Sequence, residues 1–128
     1  MSKKVLIVDD EAEIRSLLKL IFEEAGFEVT LAQDGSDALA ELQSRKFDLL
    51  FTDNQMPVMS GEDLLLEIKK DRNPEMKIIL ATGKSLSLIQ LVEENDLYLQ
   101  VDYLLNKPFS PIKIGDALKE LLNTSWSS

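Results

Sequence analysis

Neither cysteine nor histidine occurs anywhere in the sequence. Without cysteine there is no disulfide framework and no thiolate metal site. Without histidine, a histidine-based catalytic triad and imidazole-ligated zinc are excluded. Any metal must therefore be a hard cation held by oxygens. Basic residues are also scarce. Lys and Arg number 14 against 23 Asp and Glu, a formal net charge of −9. A surface with that balance repels nucleic acid and anionic membrane, so neither is an expected partner. The apolar run Val5-Leu6-Ile7-Val8 is too short for a signal core or a membrane span. A soluble, cytoplasmic protein is the resulting expectation. Repeats, low-complexity tracts and internal linkers are missing as well.

What is present is an apolar fraction of 45%, too high for a disordered chain, over 128 residues, enough for one domain with its own core. Residues 1–123 read as that domain, and 124–128 as a short polar tail carrying Trp126, too short to be an output domain. Short apolar runs alternate with amphipathic stretches, the pattern of a parallel α/β sheet. Val5 to Val8 is apolar throughout and reads as a strand covered on both faces. Ile14, Leu17, Leu18, Ile21 and Phe22 recur at helical spacing, and Gly26 ends that helix. Phe27 to Leu31 alternates and reads as a half-exposed edge strand. A second helix is expected over Ser36 to Arg45 with Ala38, Leu39 and Leu42 inward, then a buried third strand over Asp48 to Thr52.

Ser60 and Asp63 form a capping box for a third helix with Leu64, Leu65 and Ile68 as its stripe. Lys77 to Thr82 is the fourth strand, and Ser85 to Glu94 the fourth helix with Leu88, Ile89 and Val92 together. Val101 to Leu105 is the fifth strand, and Ser110-Pro111 opens the last helix, with Ile114, Ala117, Leu118 and Leu121 inward. Five β/α units imply a doubly wound five-stranded parallel sheet with helices on both faces. The flavodoxin-like order 2-1-3-4-5 suits an edge-like second strand. Sites in such sheets form beyond the carboxyl ends of the strands.

Those ends carry the candidate residues. Asp9, Asp10 and Glu11 follow the first strand, and Asp53 follows the third, its neighbour in the expected order. Three carboxylates at one rim repel unless a cation joins them, and Mg²⁺ is bound by one or two carboxylates, waters and phosphate oxygens. Glu11 is better read as an acid at a helix N-terminus. Asp53 is also an ordinary turn residue before Asn54, Gln55, Met56 and Pro57. Its place at the end of a buried strand favours a working carboxylate, able to attack phosphorus and give an aspartyl phosphate. Thr82 before Gly83 offers a hydroxyl to a phosphoryl oxygen, although alone it reads better as a β-branched strand residue. Lys107 is either an exposed loop lysine or a point charge for phosphate, and Pro108 permits a cis peptide that would aim it inward.

With these pieces, the chain resembles the receiver domain of bacterial response regulators, in the single-domain style of chemotaxis regulators. The carriers are Val8-Asp9-Asp10-Glu11, Thr52-Asp53-Asn54-Gln55-Met56-Pro57 with Gly61, Ala81-Thr82-Gly83 and Asn106-Lys107-Pro108-Phe109. They span almost the whole chain. The resemblance implies that Asp53 is the phosphoacceptor, and that Asp9, Asp10, Asp53 and the Gln55 main-chain carbonyl bind Mg²⁺. It implies that Thr82 is the hydroxyl switch residue and Lys107 the phosphate-contacting lysine. A sensor histidine kinase or histidine phosphotransfer protein would supply the phosphoryl group. The face built by the fourth helix, fifth strand and fifth helix would then switch, toward an output partner or a homodimer. Such a domain is not an enzyme beyond assisting its own phosphorylation and dephosphorylation. Gln55 is placed to tune the latter.

The family often carries an aromatic three residues before the lysine, where this chain has Leu104, with Tyr103 one residue earlier. One residue of shift in a strand reverses the face. Either Leu104 replaces the aromatic switch or Tyr103 takes it over. Leu86, Leu91, Leu97 and Leu99 exceed the inward stripe near that face, as a partner surface or as scattered surface leucines. Three rival readings fit the residues less well. A haloacid dehalogenase-like phosphohydrolase needs an acid where Gln55 stands. A flavodoxin-type FMN protein needs a hydroxyl- and Gly-rich loop after the first strand. A docking module indifferent to phosphate would gain nothing from crowding three carboxylates.

Overall fold

The computed structural model describes residues 3–70, 73–83 and 87–122. Its elements are β1 (Lys4–Val8), α1 (Ala12–Glu24), β2 (Glu28–Ala32), α2 (Gly35–Ser44), β3 (Leu49–Asp53), α3 (Gly61–Lys69), β4 (Lys77–Thr82), α4 (Leu88–Glu94), β5 (Tyr103–Asn106) and α5 (Pro111–Leu122). A 3₁₀ helix, Asp96–Gln100, lies between α4 and β5. The five strands are parallel in the order β2-β1-β3-β4-β5. This is the doubly wound sheet expected from the alternation.

Alternate side chains of each strand enter opposite layers. Val5, Ile7, Leu49, Phe51, Ile79 and Ala81 face α1 and α5. Leu6, Val8, Leu50, Ile78 and Leu80 face α2, α3, α4 and the 3₁₀ helix. Both sheet faces are covered, which is why β1, β3 and β4 are buried at nearly every position. Each fully buried Leu, Ile or Phe contributes about 1.5–3 kcal/mol relative to exposure.

β4 and the Ser60–Asp63 capping box stand as expected, and Gly26 follows α1 at φ +94°. Other expectations need correction. β2 runs one residue later, and Leu31 is exposed while Ala32 is buried. α2 starts at Gly35 because Asp34 accepts the Asp37 N–H as its cap. β3 likewise includes Asp53 and begins at Leu49. β5 starts at Tyr103 because Leu97 to Val101 belong to the 3₁₀ helix and its end, capped by Asn95. α4 begins at Leu88, capped by Ser87 with Gln90 completing a capping box. That later start sets its phase: Leu91 is buried and Ile89 faces out. Leu97 is also core, whereas Leu17 and Leu99 are exposed. The expected helix start at Ser85, Leu86 and the tail lie outside the described residues.

Candidate functional site

The register places the site. Val8 pairs with Thr52, and Asp53 with Ala81, so the residues that leave β1 and β3 emerge side by side. Thr82, paired with Asn106, ends β4 next to the segment that carries Lys107. One carboxylate oxygen each from Asp9, Asp10 and Asp53 lie within 4.8 Å of one another. Asp9 and Asp53 are buried and Asp10 is exposed, so the cluster opens to solvent on one side.

Asp9 Oδ1 accepts the Glu11 N–H at 2.9 Å, while its Oδ2 is buried without a partner. Asp53 Oδ1 accepts the Gln55 N–H at 3.1 Å, and Asp53 Oδ2 receives Lys107 Nζ at 2.9 Å. The Lys107–Pro108 peptide is cis. The loop carrying Lys107 is anchored below by Phe109, whose ring meets Phe51 edge-on at 5.9 Å. Lys107 N–H also donates to Thr82 O at 2.8 Å, which ties the loop to the end of β4. Thr82 is fully buried. A Cβ added at Gly83 would lie 3.6 Å from Gln55 Oε1, so the Gln55 side chain reaches across to that strand end.

Burial pushes the Asp9 carboxyl up from its ordinary value, with Asp53 and Asp10 adding to the rise and the Glu11 N–H and Lys107 opposing it. Burial pulls Lys107 down, but its hydrogen bond to Asp53 and the negative charges of Asp53, Asp9 and Glu11 prevail, and its net shift is upward. The ammonium is thus held charged against an acid cluster that one lysine does not neutralise. An all-oxygen donor set with an orphaned buried carboxylate oxygen suits a hard divalent cation.

The structure gathers Asp9, Asp10, Asp53, Thr82 and Lys107 at one rim, with Gln55 at its edge. Tyr103 and Leu104 are both half-buried on opposite sides: Tyr103 packs with the α1 and α5 layer, and Leu104 with the α4 layer. Beside the rim lies a polar group that the sequence did not suggest. Asn54 Nδ2 donates to Tyr98 Oη at 3.3 Å, Tyr98 Oη donates to Glu62 Oε2 at 2.8 Å, and Asn95 Nδ2 donates to Glu62 Oε1 at 2.9 Å. Burial and the Glu62 hydrogen bond push the Tyr98 phenol up to about 12. The one signal was a polar Asn directly after a buried strand.

The family model of the response regulator receiver domain matches residues 5–119, and the chain belongs to that family of two-component signalling domains. Chemotaxis protein CheY of Thermotoga maritima is 35% identical across 94% of this chain and 98% of its own length. The alkaline phosphatase synthesis transcriptional regulatory protein PhoP of Bacillus subtilis is 31% identical across 98% of this chain and 50% of its own length. The chain thus spans about half the length of such transcriptional regulators. Among solved structures, the response regulator TrrA of Thermotoga maritima, in complex with Mg²⁺-BeF, superimposes with a TM-score of 0.79 at 34% identity, covering 94% of this chain and 99% of that one. Among the described residues, no helix is long and apolar enough to cross a membrane.

Proposed function

We propose that this receiver domain accepts a phosphoryl group on Asp53 from a sensor histidine kinase or a histidine phosphotransfer protein. The observation that carries the reading is the placement of Asp9 and Asp10 against Asp53, with Lys107 Nζ 2.9 Å from Asp53 Oδ2. An Asp53 carboxylate oxygen forms the new O–P bond as the donor's N–P bond breaks, and the leaving imidazole retains the electron pair and takes a proton from solvent. Such transfer depends on position and charge neutralisation. Asp9, Asp10, Asp53 and the Gln55 carbonyl would hold Mg²⁺, which neutralises charge on the phosphoryl oxygens when bound. The Mg²⁺-BeF complex of TrrA supports this assignment by analogy.

Lys107 then moves from its Asp53 ion pair to a phosphoryl oxygen, and the Thr82 hydroxyl donates to another. Gln55, at the mouth, tunes the loss of the phosphoryl group. The response is read on the α4-β5-α5 face by an output partner or a second copy, with Leu104 at the position of the usual aromatic switch and Tyr103 turned to the other layer. The domain assists its own phosphorylation and dephosphorylation and has no other substrate.

Incubation with Mg²⁺ and a small acyl phosphate, followed by intact mass, tests the assignment. A Mg²⁺-dependent phosphoryl adduct is expected in the wild type and its loss in Asp53→Asn. An adduct that persists in Asp53→Asn, or one that never forms, rejects Asp53 as acceptor.

A further inference from the structure

Asn54 is the residue next to the proposed phosphoacceptor, and it is tied down on three sides. Its N–H donates to Ala81 O at 2.8 Å, and its carbonyl accepts the Gly61 N–H at 3.0 Å. Its side-chain Nδ2 donates to Tyr98 Oη. The chain of bonds runs on through Glu62, in the first turn of α3, to Asn95. Asn95 stands at a junction. Its N–H donates to Leu91 O at the end of α4, and its Oδ1 accepts the Leu97 N–H at 3.0 Å and caps the 3₁₀ helix. The residue beside Asp53 is therefore linked by side-chain hydrogen bonds to the point where α4 stops.

From this geometry we infer that the Asn54–Tyr98–Glu62–Asn95 network is a relay that passes the state of Asp53 to the C-terminal end of α4 and the following 3₁₀ helix. The inference rests on Asp53 being the phosphoacceptor. Tyr98, Glu62 and Asn95 act as positioning residues and touch no phosphoryl group.

Three observations support it. First, Tyr98 supplies, on the α4 side of the sheet, a phenolic hydroxyl that Leu104 lacks and that Tyr103 carries on the other side. Second, the network is mostly buried: Tyr98 and Asn54 are 3% and 6% exposed. Buried donors and acceptors lose more by parting than by moving together. Third, Asn54 Oδ1 is buried with no partner. Buried polar atoms almost always have a partner, so the orphaned oxygen leaves this end of the network free to take up a new bond. A phosphoryl group on Asp53 would take the place of the bonds that Lys107 Nζ makes to Oδ2 and the Gln55 N–H makes to Oδ1. Asn54 lies between these and cannot shift without pulling on Tyr98 Oη.

The test uses the full chain with Mg²⁺ and acetyl phosphate, in the wild type, Tyr98→Phe and Glu62→Ala. Glu62 is only half-buried, so its variant keeps the core intact. Intact mass reports the adduct, and amide hydrogen exchange reports the segment from Leu91 to Val101. The expected result is an adduct in all three proteins, with exchange in that segment shifted by phosphorylation in the wild type and the shift lost in both variants. An adduct with the same shift in both variants, or with no shift in the wild type, overturns the relay and leaves Asp53 as acceptor. Absence of the adduct from the wild type overturns the acceptor reading and the relay with it.

Discussion

A buried acid without full compensation is the clearest residue-scale signature in this molecule. The folded state raises the Asp9 pKa above that of the unfolded chain, which lies near 3.9. Its contribution to stability is therefore fully present below about pH 3.9 and is lost as the pH rises through the raised folded value. At neutral pH ionised Asp9 is a burden on the metal-free protein. Asp9→Asn keeps an oxygen for the Glu11 N–H at the site where Oδ1 now accepts it, and it removes the charge. The variant should gain roughly 0.5–2 kcal/mol of stability, the range common for single stabilising substitutions. Urea unfolding at neutral pH without Mg²⁺ measures it, and a midpoint at or below the wild type counts against a strained Asp9. Asp53, Asp9, Asp10, Thr82 and Lys107 could be picked out as candidates in the sequence because each ends a strand or lies within two residues of its end. Asn54 and Tyr98 could not, since 44 residues separate them and only the packing of the 3₁₀ helix on α3 brings them together.

At the scale of elements, the β3–α3 connection decides how Asp53 is presented. Gly61, the first residue of α3, lies against the backbone that leaves β3. A Cβ there would come within 2.8 Å of Asn54 Cα and 2.9 Å of Asp53 O. Neither is the movable end of a side chain, so Gly61→Ala must push the Asp53–Asn54 backbone. The expected cost is about 1–3 kcal/mol, as for overpacking elsewhere, with slower formation of the Asp53 adduct. Urea midpoint and intact mass together check this, and unchanged stability with unchanged adduct formation would sink it. Val58 in the same connection holds φ at +69°, a conformation that a β-branched residue rarely adopts. Helix phase was the least legible property of the elements. Leu17 and Ile89 fit an apolar stripe on paper, yet both are exposed, because the cap at Ser87 and the contacts of α1 set the rotation.

For the molecule as a whole, an acid cluster on a chain of net charge −9 that holds Mg²⁺ as proposed would make stability depend on divalent cation. On the proposed reading Mg²⁺ would bind the assembled site and not the unfolded chain, and would stabilise by mass action, about 2.7 kcal/mol at a concentration 100-fold above the dissociation constant. A thermal melt should rise with Mg²⁺ and fall back with a chelator in the wild type, and it should respond little in Asp9→Asn. An equal rise in both would locate the cation elsewhere. Tyr98 follows the same sign as Asp9, at higher pH. Its stabilising contribution is intact below about pH 10, the ordinary phenol value, and is lost as the pH rises through about 12.

The order of apolar runs and amphipathic stretches determined the α/β class and the strand count and pointed to candidate residues at the strand ends, because local periodicity and capping reflect burial directly. The apolar character of β1 and β3 also marked them as interior strands. Only the tertiary structure decided which leucines of α1 and α4 turn inward, that Leu97 and Tyr98 belong to the core, and that Tyr103 and Leu104 face opposite layers. Those outcomes depend on rotations of whole elements against the sheet, and one residue of phase or register, which local sequence encodes weakly, reverses them.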